Sequence, residues 1–172
     1  MISRHSSLAI FGIAAAAIAL MPFSSAEENN DEVITQQSEN IVVSKMKSPQ
    51  ALYRLRCSGC HQVNGMGSPG GGVPPFPDYL GPMASDQEGR IYIAHVPGVM
   101  SARLNDDQLA DVLNYLIDVW GENADGTRPK YFTAKELEEL KAVPVQNIVE
   151  YRRGIVKRLA DGGHPVADYP WP

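Results

Sequence analysis

Two thiols and an imidazole stand together at Cys57-Ser58-Gly59-Cys60-His61, a Cys-x-x-Cys-His pattern. Such a trio can do several kinds of chemistry. Cys-x-x-Cys alone can be a redox pair, but that use needs a strand–helix–strand setting, which the flanking sequence does not offer. It can be half of a structural zinc site, but such a site usually takes four ligands, and these are the only two cysteines in 172 residues. It can close a plain disulfide in an exported protein. With His directly after the second Cys, it is also the attachment signature of c-type haem. The thiols would add across the porphyrin vinyl groups as thioethers, with one turn of backbone lying against the porphyrin rim. His61 would then reach the iron as proximal ligand. The adjacent histidine and the export signal described next favour this last chemistry.

Those residues have to be delivered to an oxidising compartment. Arg4 and His5 form a short basic start, Leu8 to Leu20 is an unbroken apolar run of 13 residues, and Ser24-Ser25-Ala26 is a small-residue cleavage site. The run is short for a membrane span and suits a signal peptide over 1–26. Cleavage leaves 146 residues, one domain by length, with 14 basic against 20 acidic side chains and a net charge of −6. That balance argues against nucleic acid as a partner and permits steering toward a basic docking face. No second apolar run is long enough to span a membrane.

The positioning elements follow in order. Residues 27–47 are polar with an acidic start, interrupted by Ile41-Val42-Val43, and read as a flexible leader. Ser48-Pro49 reads as N-cap and first helical residue of a helix running toward Cys57. Residues 64–82 are so rich in Gly and Pro that no regular element is expected, and loops of that length are often functional. Residues 86–96 fit a short helix, or a short strand through Arg-Ile-Tyr-Ile-Ala. From Asn105 to Trp120 the periodicity is strongest: Leu109, Val112, Leu113, Leu116, Ile117 and Trp120 share one face. Asn105 and Gln108 fit a capping box, and Gly121 supplies the stop. After a linker at 122–130, Thr133 with Glu136 form a second capping box, and Phe132 with Leu137 a hydrophobic staple. A last helix is expected over Asn147 to Ala160. Ile148, Tyr151, Ile155 and Leu159 form its apolar stripe, and Arg152, Arg153, Lys157 and Arg158 its basic face. The tail from His164 to Pro172 is rich in Pro and aromatics. A two-helix extension over 122–172 is too small for a core of its own and must pack on something else.

The Cys57–His61 motif, with a capped apolar helix after it, resembles the small soluble class I c-type cytochromes. Tyr53, four residues before the first Cys, and Tyr115 match aromatics common in that family. Pro49 departs from it, standing where a small residue usually allows close helix crossing. The resemblance implies an all-α cytochrome c fold over 48–121 carrying one covalent haem c, with a short helix over 86–96 before the distal ligand. It implies that a proline carbonyl in the loop orients His61, with Pro74 the candidate and Pro75 the runner-up. It also implies an axial methionine. Met46 precedes the motif and Met66 lies too close behind it. Met100, 39 residues after His61, lies where the family places its ligand, although no proline follows it. Met83 and His95 are the alternatives. A thioether ligand raises the potential by favouring reduced iron.

The function implied is a periplasmic single-haem carrier, not an enzyme, passing single electrons from a dehydrogenase (a quinoprotein among the candidates) to a cytochrome or oxidase. A permanently bound haem subunit, with the extension, Tyr169 and Trp171 as its interface, is the second reading. An open-site sensor or peroxidase, with His95 or Arg103 on the distal side, is the third.

Overall fold

The computed structural model describes residues 48–167. The expected signal peptide, the leader with Met46, and the tail with Tyr169 and Trp171 lie outside the described residues. Within them the fold is helical, with no strand and one isolated bridge between Ser68 and Val73. No helix there is long and apolar enough to cross a membrane.

Helix α1, Pro49–Arg56, begins as its sequence dictates: the Ser48 hydroxyl accepts from Ala51 N, and Pro49 occupies the first turn, where its missing N–H costs nothing. Helix α2, Ser58–His61, is the single turn that carries the motif. Helix α3, Leu80–Ser85, is a correction. The stretch 64–82 was expected to hold no regular element, yet its last three residues, Leu80, Gly81 and Pro82, open a helix. Proline is tolerated there because the first amides of a helix have no intrahelical acceptor. A 3₁₀ turn, Pro69–Gly71, also lies in the stretch. Helix α4, Gln87–His95, excludes the strand alternative; Asp86 caps it by accepting from Gly89 N at 2.9 Å. Pro97 ends α4 but opens another turn, α5, Pro97–Met100.

Helix α6, Asp106–Trp120, carries the full capping box: Gln108 N donates to Asn105 at 2.8 Å, and Asn105 N donates back to Gln108 at 3.2 Å. It packs against α1. Leu52 and Tyr53 of α1 share one core with Val112, Leu113, Leu116 and Ile117 of α6. Each such side chain stabilises the fold by roughly 1.5–3 kcal/mol.

The extension supplies α7, Ala134–Lys141, and α8, Ile148–Asp161. Helix α7 packs on α6 and α4, and α8 on α4 and α3. The staple residues Phe132 and Leu137 are buried in the same core as the rest. Thr133 caps α7, accepting from Glu136 N, but the reciprocal half of the expected box is missing. The Glu136 carboxylate turns instead to Arg90 of α4, which donates Nε and Nη2 to it at 2.9 and 2.8 Å. Arg90 is 1% exposed. Its remaining donors reach the carbonyls of Ala84, Lys130 and Tyr131, and its guanidinium lies 3.6 Å from the centre of the Phe132 ring.

Apart from Arg152, the expected basic face of α8 is a row of solvent-exposed ion pairs. Arg152 is buried and donates to the Ala167 carbonyl at 2.9 Å. Arg158 pairs with Asp86 and Glu88, Arg153 with Glu150, and Lys157 with Asp161.

Because Leu137 has no exposed surface, Leu137→Ala should cost about 2–5 kcal/mol. The extension shares a core with the remaining helices, so melting followed by helical dichroism and by haem absorbance should still coincide. Separate transitions would show the extension to be an independent unit. Glu136 is held below its ordinary 4.5, first by the hydrogen bond from Arg90. The folded chain then binds fewer protons there than the unfolded chain. Its contribution is complete above pH 4.5 and is lost as pH falls through the lowered folded value. Thermal melts between pH 7 and 3 should show this loss, and Glu136→Gln should flatten it.

Candidate functional site

The motif sits at the junction of α1 and α2. Cys57 follows the last residue of α1 and caps α2; Cys60 and His61 close that turn through amide bonds to the Cys57 carbonyl at 3.2 and 3.0 Å. Cys57 is half-buried, Cys60 exposed, and both are free thiols. Burial, with the neighbouring Cys60 second, pushes the Cys57 thiol up to about 11. A structural zinc site would need further ligands beside the two cysteines. No group of three or more His, Cys, Asp or Glu among the described residues could complete such a site.

A folded-back loop holds His61. Gly67 N donates to the His61 carbonyl at 3.0 Å, Gln62 Nε2 donates to the Gly67 carbonyl at 2.5 Å, and Phe76 N donates to the Gly65 carbonyl at 2.8 Å. These bonds bring Phe76 onto His61, ring stacked on ring at 4.2 Å and 16°. Trp120 backs Phe76 at 5.7 Å, and Tyr53 backs Trp120 at the same distance. The Tyr53 hydroxyl donates to the Gln62 carbonyl, tying α1 to the residue after the motif. Burial holds Tyr53 up at about 12, so it stays a donor throughout the physiological range. Gly65 is required here: its φ is +73°, and a Cβ would come within 2.9 Å of the Trp120 ring.

Two opposed influences act on His61. Burial, the larger, lowers its pKa below 6.5; the Pro74 carbonyl pulls it up. The imidazole is thus neutral near pH 7, with a lone pair for a metal. Its Nδ1 is buried and makes no hydrogen bond of good geometry. The Pro74 carbonyl is thus the backbone group acting on His61, close enough to influence the ring without forming a well-aligned bond. The same carbonyl would lie 2.6 Å from a Cβ at Gly67, so the loop passes tightly around it.

The distal candidates separate clearly. Met83 is half-buried against the core, its backbone so close to Gly89 that a Cβ there would meet the Met83 carbonyl at 1.9 Å. Its side chain packs against the core. Met100 ends α5 with its side chain 57% exposed, so core filling does not account for it. His95 is half-buried at the end of α4, its Nδ1 2.8 Å from the Ile91 carbonyl. Arg103 is exposed, with a left-handed φ of 53°.

These residues fit a haem. Two cysteines and a neutral imidazole share one turn, and the Pro74 carbonyl lies on the side of the His61 ring away from the metal it would hold. Among the described residues, the exposed large apolar side chains include Leu55, Val63 and Met66 around the motif, and Met100. That is apolar surface a porphyrin would cover. Sequence reasoning missed Trp120 as a support for the proximal side, reading it as the end of an apolar stripe. It also missed Arg90, since a lone arginine on a short helix carries no sign of a partner 46 residues away.

The Cytochrome c family model matches residues 47–120. Two curated relatives from Thermus thermophilus, both named cytochrome c-552, are each 33% identical over 124 residues. The match covers 60% of this chain, and 94% of one relative and 83% of the other. No solved structure gives a significant match.

Gly65→Ala would force a side chain into a left-handed conformation against Trp120. It should lower the stability of the haem-loaded protein by more than about 1 kcal/mol, measured by denaturant unfolding. An unchanged midpoint would show that the loop and Trp120 can part without cost.

Proposed function

The chain belongs to the cytochrome c family and carries covalent haem c as an electron-carrying protein, and from that premise we propose that it is a periplasmic single-electron shuttle. Its donor would be a periplasmic dehydrogenase, with quinoproteins among the candidates, and its acceptor a cytochrome or oxidase. Bound haem supplies the one-electron ferrous/ferric couple. In this reading Cys57 and Cys60 tether it, His61 is the proximal ligand and Met100 the distal one. The Pro74 carbonyl tunes the basicity of His61.

The observation that carries the reading is the contrast between the two methionines nearest the expected distal position. Met83 is used up in packing, while Met100 presents its thioether on an exposed turn. The stacked Phe76, with Trp120 behind it, holds the imidazole plane without charged groups, which suits an iron that changes oxidation state with little rearrangement. The extension packs on α3, α4 and α6, leaving α1, α2 and the proximal loop for brief docking with partners. Its apolar stripe is spent inside this chain: Ile155 and Leu159 are buried. That favours the shuttle over a permanently bound subunit.

The ferric protein should be low-spin and show the weak far-red band of a thioether–iron bond. Met100→Ala should abolish the band and lower the reduction potential, since the thioether favours ferrous iron. A band that survives the substitution would move the assignment away from Met100. High-spin ferric haem in the wild type would sink the six-coordinate carrier reading.

A further inference from the structure

We infer that Arg90 is a positioning residue for the distal ligand: the C-terminal extension, acting through Arg90 and Glu136, holds the platform from which Met100 reaches iron. The inference rests on the proposed ligation by Met100 and adds what keeps that ligand in place.

The argument begins with how little holds α5. It is a single turn of four residues, and its amide bonds stay local: Met100 N donates to the Val96 carbonyl and Ser101 N to the Pro97 carbonyl. The Ser101 hydroxyl also bonds the Pro97 carbonyl. The main helix it packs against is α4. One turn of helix has no stability of its own in water, so the place of Met100 is inherited from α4 and from the packing of Val99 on the core.

Helix α4 is weakly committed by its own sequence. It has nine residues, and Gly89 lies in its first turn. Its fixed points are contacts made from outside, and most of them come from the extension. Arg90 is bound by Glu136 of α7 through both Nε and Nη2, and by the carbonyls of Lys130 and Tyr131, with Phe132 beneath the guanidinium. Arg158 of α8 closes on Asp86 and Glu88 at the start of α4, both at 2.7 Å. The extension thus grips the N-terminal half of α4, and the C-terminal half runs directly into α5.

Bidentate pairing fixes a direction as well as a distance, because the planar fork must match the carboxylate. Lysine in place of Arg90 would keep the charge and lose the fork. Glutamine in place of Glu136 would keep the shape and lose the charge. Either change lets α4 sample other settings and lowers the fraction of molecules in which Met100 is seated. A ligand that competes for the distal site then binds in proportion to the unseated fraction.

The experiment titrates the ferric haem-loaded protein with imidazole, following the far-red band, in wild type, Arg90→Lys, Glu136→Gln and Lys141→Gln. The last is the control: the ion pair of Lys141 joins α7 to Asp106 of α6. Unfolding midpoints are measured on the same samples. Arg90→Lys and Glu136→Gln should bind imidazole about tenfold more tightly than wild type and lose the band at lower temperature, before global unfolding. Lys141→Gln should leave imidazole affinity unchanged whatever it does to the midpoint. If the two α4-directed variants unfold more easily yet bind imidazole like wild type, Arg90 is structural only and the inference is overturned. Equal tightening in the control also overturns it. A wild type without the far-red band overturns the ligation by Met100, and this inference with it.

Discussion

A guanidinium offers five N–H donors and a charge, and taking it out of water is tolerable only when almost all of that is answered. Arg90 meets the condition with partners from three separate places: the end of α3, the run at 130–132, and the first turn of α7. Each partner is then fixed by the need to stay where it is. Removing Glu136 would leave the buried Arg90 charge answered only by carbonyls, a destabilising change, whereas Glu136 itself keeps some contact with water. The apolar core supplies the bulk of the driving force, and Arg90 decides how the extension is set on the domain it covers.

The two sides of the site are built from different materials. The proximal side is dense: His61, Phe76, Trp120, Tyr53 and Tyr115 lie ring against ring, drawing on the motif, the loop and both crossing helices. The distal side is a single turn on the end of a short helix. Aromatic rings have few rotatable bonds and lose little entropy on packing, whereas a methionine has three and adapts. A fixed imidazole thus stands on one side, and on the other a methionine whose position depends on its surroundings.

Much of this was legible in the residues, for local reasons. Ser48-Pro49, Asn105 with Gln108, and Thr133 before Glu136 act over three or four positions, so the chain announces where those helices start. The motif is equally local. Illegible parts depend on distance along the chain. Nothing near Arg90 points to Glu136, and Glu136 looked committed to its own cap. Pro82 looked like a helix breaker because its position in a first turn depends on where Leu80 begins the helix. Three basic residues of α8 are solvent-exposed as a face, but the partners of Arg158 on α4, about 70 residues away, left no local sign. Pro74 and Met100 were named from resemblance; the structure adds their setting, a tight carbonyl beside the imidazole and an open thioether.

That pairing on α8 has an electrical consequence. Arg153, Lys157 and Arg158 each meet a carboxylate within a few ångströms, so beyond a Debye length of about 8 Å their fields largely cancel. On α6, Asp107 and Asp111 are exposed on the outer surface. Within about a Debye length of the surface, an approaching partner therefore meets paired charge on α8 and the exposed carboxylates of Asp107 and Asp111 on α6. A charged body of that kind turns in the field of an approaching partner before contact. Its orientation on arrival is thus set partly by carboxylates that need never touch the partner.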